Sequence, residues 1–199
     1  MTEYLTSPKV NAGVDLFAAM RSRKSVRKYS STAVDLDSLS TLLYYTCGRV
    51  SDTPKRLIPP SAGNIHAIKC YVLSSKVAEL RMGLYVYDNA SHSLELVSEG
   101  DLRQPLCNAC LNQSMIALAP LCIILAADIG RIAIRYRDRA ERYAAMDCGH
   151  YGHSLYLACE ALGLGTVAVG AFDDAAVSKV LQLPENLSPM YVFPVGCKE

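Results

Sequence analysis

The chain has no tryptophan and only three phenylalanines, so twelve tyrosines carry most of its aromatic surface. That surface ends in hydroxyls, which suits a polar-lined pocket or an interface. A charge of one sign is also missing: 20 Lys+Arg face 19 Asp+Glu, for a formal net charge of +1. A dedicated nucleic-acid binder would carry a basic excess, so no nucleic-acid partner is expected. The N-terminus has no basic start followed by an apolar stretch, and no secretory leader is expected. The longest apolar run, Met115 to Ala127, is too short to span a bilayer, and Pro120 interrupts it. No membrane partner is expected. Internal repeats and low-complexity stretches are absent too.

What is present is enough for a core. Apolar residues make up 51% of 199 residues, which reads as one domain over 1–199, with 1–12 as an N-terminal extension. Eight cysteines are scattered, several inside apolar segments, as at Cys70, Cys122 and Cys159. They read as reduced, buried thiols of a cytoplasmic protein.

A helix is expected over about 14–22. A second begins after the N-cap Asp35, with Leu36, Leu39, Leu42 and Leu43 at helical spacing and Gly48 past its end. Residues 49–66 read as a loop. Ile68–Leu73 reads as a strand, and Gly83–Tyr87 and Leu94–Val97 read as a hairpin around the turn Asp88-Asn89-Ala90-Ser91. A helix over 101–113, a buried strand over Leu121–Ala127 and mostly helix over 129–162 follow. Tyr151, Leu155, Ala158 and Leu162 form the stripe of that last helical region, which Gly163 and Gly165 close. Val167–Ala171 reads as a strand, then a short helix, then a strand over Tyr191–Val195. Helices and strands alternate without a strict βαβ rhythm. The expected class is α+β, a mixed or antiparallel central sheet covered by helices.

Arg23-Lys24-Ser25-Val26-Arg27-Lys28-Tyr29 places four positive charges and a hydroxyl in six residues. Arginine forks match phosphate oxygens, and serine adds a neutral donor. Taken alone, the run reads equally as a solvated basic face. Pro60-Ser61-Ala62-Gly63-Asn64 is turn chemistry by itself. Gly163, Gly165 and Gly170 alone read as a helix cap and tight strand packing.

In order and spacing, however, these segments resemble the motifs of the nitroreductase-like FMN flavoenzymes. The resemblance spans about residues 20–196. It implies that Arg23, Lys24, Ser25 and Arg27 hold the phosphate and ribityl tail of FMN. It implies that Pro60, Ser61, Ala62 and Asn64 reach the flavin from the partner subunit of a homodimer. It also implies that the backbone of Val169, Gly170 and Ala171 lies beside the ring, with Gly165 allowing close approach, and that Pro194-Val195-Gly196 is the closing strand. Pro-Ser-Ala-Gly, Gly83-Leu84-Tyr85-x-Tyr87-Asp88 and Gly149-His150 running into Leu162-Gly163-Leu164-Gly165 are most similar to the thiazoline/oxazoline dehydrogenase (SagB-type) branch.

The implied activity is hydride or electron transfer between NAD(P)H, or an organic donor, and a small acceptor: a nitro compound, quinone, enone or azoline. The implied fold is the nitroreductase-like one, dimeric. Arg135-Tyr136 stands where the azoline-oxidising branch has Lys-Tyr. Arginine keeps its proton near neutrality, so Tyr136 alone is left as a candidate catalytic side chain. Past Gly196 the basic residue left for the phosphate is Lys198.

Other groupings are weighed beside this. Cys107 and Cys110 have CxxC spacing but no second pair, and read as packing. Asp147, His150 and His153 lie three apart on one helix and allow a metal site, or sit near the cofactor or satisfy buried partners; no metal is assigned. His66 either lines the pocket or sits exposed in the loop. Arg131 to Arg142 holds five arginines and two acids, read as a solvated face or mobile lid, or as a clamp for a substrate carboxylate. The rival function is a flavin-binding partner subunit without turnover of its own.

Overall fold

The structure is a computed structural model and describes residues 1–9, 14–50 and 56–199. Its strands are β1 (Thr2–Tyr4), β2 (Ile68–Ser74), β3 (Gly83–Asp88), β4 (Ser93–Glu99), β5 (Leu121–Ala127), β6 (Leu164–Thr166) and β7 (Ser188–Cys197). Its helices are α1 (Leu16–Ser22), α2 (Leu36–Cys47), α3 (Arg103–Ala109), α4 (Met115–Leu118), α5 (Ile129–Tyr136), α6 (Ala140–Ala161) and α7 (Asp174–Val180). One sheet runs in the order β1-β4-β3-β2-β5-β7-β6, and each neighbouring pair is antiparallel.

The strands at the sheet's centre are apolar on both faces because both faces are covered. Along β5, Leu121, Ile123, Leu125 and Ala127 join one core, while Cys122, Ile124 and Ala126 join the other. β2 divides the same way, Cys70 and Val72 against Tyr71 and Leu73. The first core takes Leu39, Leu42 and Leu43 of α2, Ile132 of α5, and Ala144, Tyr151 and Leu155 of α6. The second takes Leu106 of α3, Ile116 of α4 and Val177 of α7. Each such leucine or isoleucine, fully buried, contributes about 1.5–3 kcal/mol.

Local chemistry sets the helix starts. The Asp15 side chain accepts from Phe17 N and Ala18 N, and the Asp35 side chain accepts from Ser38 N. The Asp128 side chain accepts from Arg131 N, and the Asp173 side chain accepts from Ala176 N. Gly152 lets α6 sit close on the sheet: a Cβ there would lie 2.7 Å from Phe193 Cζ.

Several expectations shift. The region 129–162 is mostly helical, as expected, but divides into α5 and α6, because Arg137 (φ 49, ψ −124) turns the chain between them. The helix expected over 101–113 is α3 alone, and α4 follows separately. The strand expected over Val167–Ala171 is not one. Gly163 (φ +72) feeds the chain straight into β6, and past Thr166 only Val169 keeps a bridge, to Val192. The first residues lie on the sheet as β1, paired to β4. Positions 10–12 of the expected extension, and 51–55 of the expected 49–66 loop, fall outside the described residues.

Candidate functional site

The basic run lies along the β6–β7 edge, fixed by backbone and by one tyrosine. Val26 N donates to Thr166 O at 2.9 Å, and Ser30 N donates to Cys197 O at 3.0 Å. The buried Tyr29 hydroxyl sits 2.8 Å from Val26 O and 3.0 Å from Pro194 O, and burial raises its pKa. Anchored through Val26 and Tyr29, the segment turns Lys24, Ser25, Arg27 and Lys28 to solvent. Arg23, Lys24 and Arg27 have no carboxylate within ion-pair distance among the described residues.

Tyr156 of α6 joins this run to the segment after β6. Its hydroxyl lies 3.2 Å from Ser25 Oγ and accepts the Ala168 N–H at 2.8 Å. Its ring lies 5.1 Å beneath the Arg23 guanidinium. Ser25 and Ala168 are therefore within reach of one small molecule. Just beyond, Gly170 and Ala171 are exposed, and their backbone N–H groups have no protein partner among the described residues. Val169 is buried instead, exchanging two backbone bonds with Val192. Gly165 faces no open cleft: a Cβ there would lie 2.7 Å from Val26 Cβ. Its expected role beside a ring is replaced by packing under the basic run. Lys198 is tied to Glu160 at 2.7 Å, and this bond holds the Glu160 carboxyl below its usual pKa.

The second cluster surrounds Pro60–Asn64. Ser61 Oγ donates to Asp147 Oδ2 at 2.7 Å, and Ala62 N donates to Asp147 Oδ1 at 2.9 Å. His66 N in turn donates to Ser61 Oγ at 3.0 Å, and the Asn64 Oδ1 and His66 Nε2 atoms lie 2.7 Å apart. Asp147 is only 2% exposed. It fixes the loop from inside, while His150 and His153 point to solvent, so the three residues do not converge on a metal. Arg135 Nη1 donates to Gly63 O at 3.4 Å. Gly63 (φ +56) lets the loop pass beneath α5, since a Cβ there would lie 2.6 Å from the Tyr136 hydroxyl.

The cysteines of the CxxC, Cys107 and Cys110, are buried in the second core, where burial pushes the Cys110 thiol up to about 12. That is packing chemistry.

Sequence reasoning missed Tyr156, and it left Asp147 open between a metal ligand, a place near the cofactor and the satisfying of buried partners; the structure shows the last. Their partners lie far away in the chain, and no local pattern marks them.

The fold is the nitroreductase fold, with a single antiparallel sheet covered by helices. The Nitroreductase family matches residues 20–197, and the chain belongs to it. Proteins of this family are generally flavin-dependent oxidoreductases that use NAD(P)H. A protein of Methanocaldococcus jannaschii, provisionally named a nitroreductase, is 37% identical over 176 residues, covering 88% of this chain and 87% of its own. A nitroreductase-type crystal structure from Ralstonia eutropha superposes with a TM-score of 0.87 at 28% identity, covering all of this chain and 90% of that one. The NADPH:FMN oxidoreductase of Vibrio harveyi, solved with NAD+, shares the fold at a TM-score of 0.67 and 18% identity, over 92% of this chain and 69% of its own. Among the described residues, no helix is long and apolar enough to cross a membrane.

Proposed function

We propose that the protein is an FMN-dependent oxidoreductase of the cytoplasm, one domain per chain, acting as a homodimer. It transfers hydride or electrons between NAD(P)H, or an organic donor, and a small organic acceptor. The observation that carries this reading is the three cations Arg23, Lys24 and Arg27, without an ion pair among the described residues, pinned by Tyr29 and joined through Tyr156 to the N–H groups of Gly170 and Ala171, which have no protein partner among the described residues. That donor set fits FMN. Forks and a hydroxyl suit a dianionic phosphate, and exposed backbone donors suit the polar edge of a flat ring. The flavin supplies the redox chemistry. Arg23, Lys24, Ser25 and Arg27 bind the phosphate, and Gly170 and Ala171 orient the ring. The Tyr136 hydroxyl lies over the Pro60–Asn64 loop, against Gly63.

The geometry of α6 supports the homodimer. Asp147 and Tyr156 are nine residues apart, about 13.5 Å along the helix and half a turn out of phase. Ser61 and Ala62 hang from one face and Ser25 from the other. Pro60, Ser61, Ala62 and Asn64 thus serve the flavin of a second copy, not their own. The chain has an apolar face for that copy: Leu16, Phe17 and Met20 of α1 are exposed. Beside them lies a groove of about 520 Å³ lined by Ala19, Tyr45, Leu157 and Ala161.

Within the family we place the chain nearest the thiazoline/oxazoline dehydrogenase (SagB-type) branch, with Arg135 in place of its lysine. Nitro compounds, quinones and enones are the acceptors we favour over azolines, since an arginine there cannot pass a proton.

Purified protein should be yellow, release FMN on denaturation, and bleach anaerobically with NADH or NADPH, then recover with an acceptor. Arg23→Ala and Arg27→Ala should each weaken FMN binding ten- to a hundredfold, about 1.5–3 kcal/mol per charge-assisted contact. The double variant should be colourless; a yellow one overturns the phosphate assignment. Yellow protein that no donor or substrate bleaches supports the rival reading, a flavin-binding partner subunit without turnover.

A further inference from the structure

The exposed backbone at Gly170 and Ala171 is held on both sides. Before it, Val169 exchanges two bonds with Val192, at 2.9 and 3.0 Å. After it, Asp173 N donates to Ala109 O at 2.9 Å. Ala171 itself is tied by a side chain: Gln113 Nε2 donates to Ala171 O at 2.8 Å, across 58 positions of chain. The Gly170 and Ala171 N–H groups lie between these ties, without a protein partner among the described residues.

The corner between α3 and α4 is built around Gln113. Leu111 (φ 56) and Asn112 (φ 59) are consecutive non-glycine residues in the left-handed region. Such a backbone persists only where its surroundings enforce it. Asn112 N donates to Cys107 O at 3.0 Å, and Gln113 N donates to Cys110 O at 3.2 Å. Gln113 O accepts from Cys107 Sγ at 3.4 Å and from Ile116 N at 3.0 Å. Cys107, Cys110 and Ile116 belong to the second core, so the corner is anchored there. The Gln113 amide spends its other hydrogen on Cys110 O at 3.0 Å. Both of its N–H bonds therefore end on carbonyl oxygens.

Ala171 is exposed, so water would satisfy its carbonyl at little cost. The fixed amide does something water does not: it sets the plane of the peptide that follows Ala171. With Val169 fixed as well, little freedom is left to the two N–H groups in between. Donors held in place before a ligand arrives need no reorganisation when it binds.

We propose that Gln113 is a positioning residue for the flavin: by holding Ala171 O, it aims the Gly170 and Ala171 N–H groups at the edge of the ring. The inference rests on the preceding reading, which assigns those groups to the ring. It deepens that reading with a residue that acts through the backbone of another.

The test compares the purified wild-type protein with two variants. Gln113→Met keeps the length and removes the donor. Gln113→Asn keeps the amide but leaves it one methylene short of Ala171 O. Ser75→Ala is the control, because Ser75 Oγ also reaches two carbonyl oxygens, Ala119 O at 3.0 Å and Pro120 O at 2.7 Å, and bonds to none of residues 169–173. FMN affinity is measured by titration, and the visible bands and midpoint potential of the bound FMN report the contacts at its ring. Both Gln113 variants should bind FMN about fivefold more weakly, the equivalent of one hydrogen bond. Both should also shift the bands and the potential. Ser75→Ala should lower the melting temperature and move none of the three. Gln113 variants that lose only melting temperature, with wild-type affinity, bands and potential, overturn the positioning role and leave the flavin reading intact. Wild-type protein that binds no FMN overturns the flavin reading and this inference with it. If Gln113→Met does not fold, Gln113→Asn decides between the same outcomes.

Discussion

Ser61 donates its hydroxyl proton to Asp147 across 86 positions of chain, at 2.7 Å, and Asp147 is almost wholly buried. A carboxylate this enclosed persists only when hydrogen bonds replace its water. Here the loop supplies them, through Ser61 Oγ and Ala62 N.

Asp147→Ala should therefore unfold more easily by about 2–4 kcal/mol, since two half-buried donors lose their acceptor at about 1–3 kcal/mol each. Asp147→Asn keeps one acceptor and should lose about half as much. Urea unfolding measures both. Faster amide exchange confined to residues 61–66 would show that the carboxylate holds this loop in particular.

Tyr156→Phe removes one hydroxyl and leaves the ring. The half-buried Ala168 N–H and Ser25 Oγ each lose a partner, so stability should fall by about 1–2 kcal/mol. FMN should dissociate several-fold faster. Tyr156→Leu should cost about 0.5–1 kcal/mol more, because Arg23 also loses the ring beneath it. Equal effects of the two substitutions would show that the stacked ring contributes nothing.

Gly63→Ala forces a side chain into a left-handed conformation and against the Tyr136 hydroxyl. The expected loss is about 1–3 kcal/mol. Gly130→Ala, on α5 itself, meets nothing closer than 3.6 Å and should gain up to about 1 kcal/mol from helix propensity. Thermal melts of the two variants should move in opposite directions.

His92 carries a pH dependence. Its Nδ1 meets the Tyr87 hydroxyl at 2.7 Å, and its Nε2 meets Ser40 Oγ at 2.8 Å and Thr6 O at 3.1 Å. Burial lowers its pKa below the usual 6.5. The folded protein thus binds this proton less readily than the unfolded chain. The stabilisation is complete above about 6.5 and is lost as pH falls from there through the lowered value. His92→Gln should flatten the decline in melting temperature between pH 7 and 5. An unchanged slope would place the titrating group elsewhere.

Strand and helix positions were legible wherever a local pattern decided them. Asp35 with its leucine spacing, the Asp88–Ser91 turn and the apolar run 121–127 all read correctly from neighbouring residues. What failed was non-local. Val167–Ala171 looks like a strand by composition, but β6 ends before it because β7 turns its own edge to Val169 for a single bridge. Gly165 looked like an opening and is instead the floor for Val26. The break between α5 and α6 falls on Arg137, a residue type that rarely adopts its backbone conformation. For the candidate site, residue types were readable but their grouping was not. The opposite faces of α6, which argue for a second copy, emerge only once Asp147 and Tyr156 are seen with their partners.

The distribution of thiols offers a practical handle. Seven of the eight cysteines are buried, and burial raises Cys47, Cys110, Cys122, Cys148 and Cys159 so that little reactive thiolate forms. Cys197 alone is partly open, and it adjoins Lys198, across from Tyr29 at the end of the basic run. A maleimide dye should thus attach at one defined position in the native molecule without any engineered change. Its emission would then report directly on what occupies the neighbouring cationic edge.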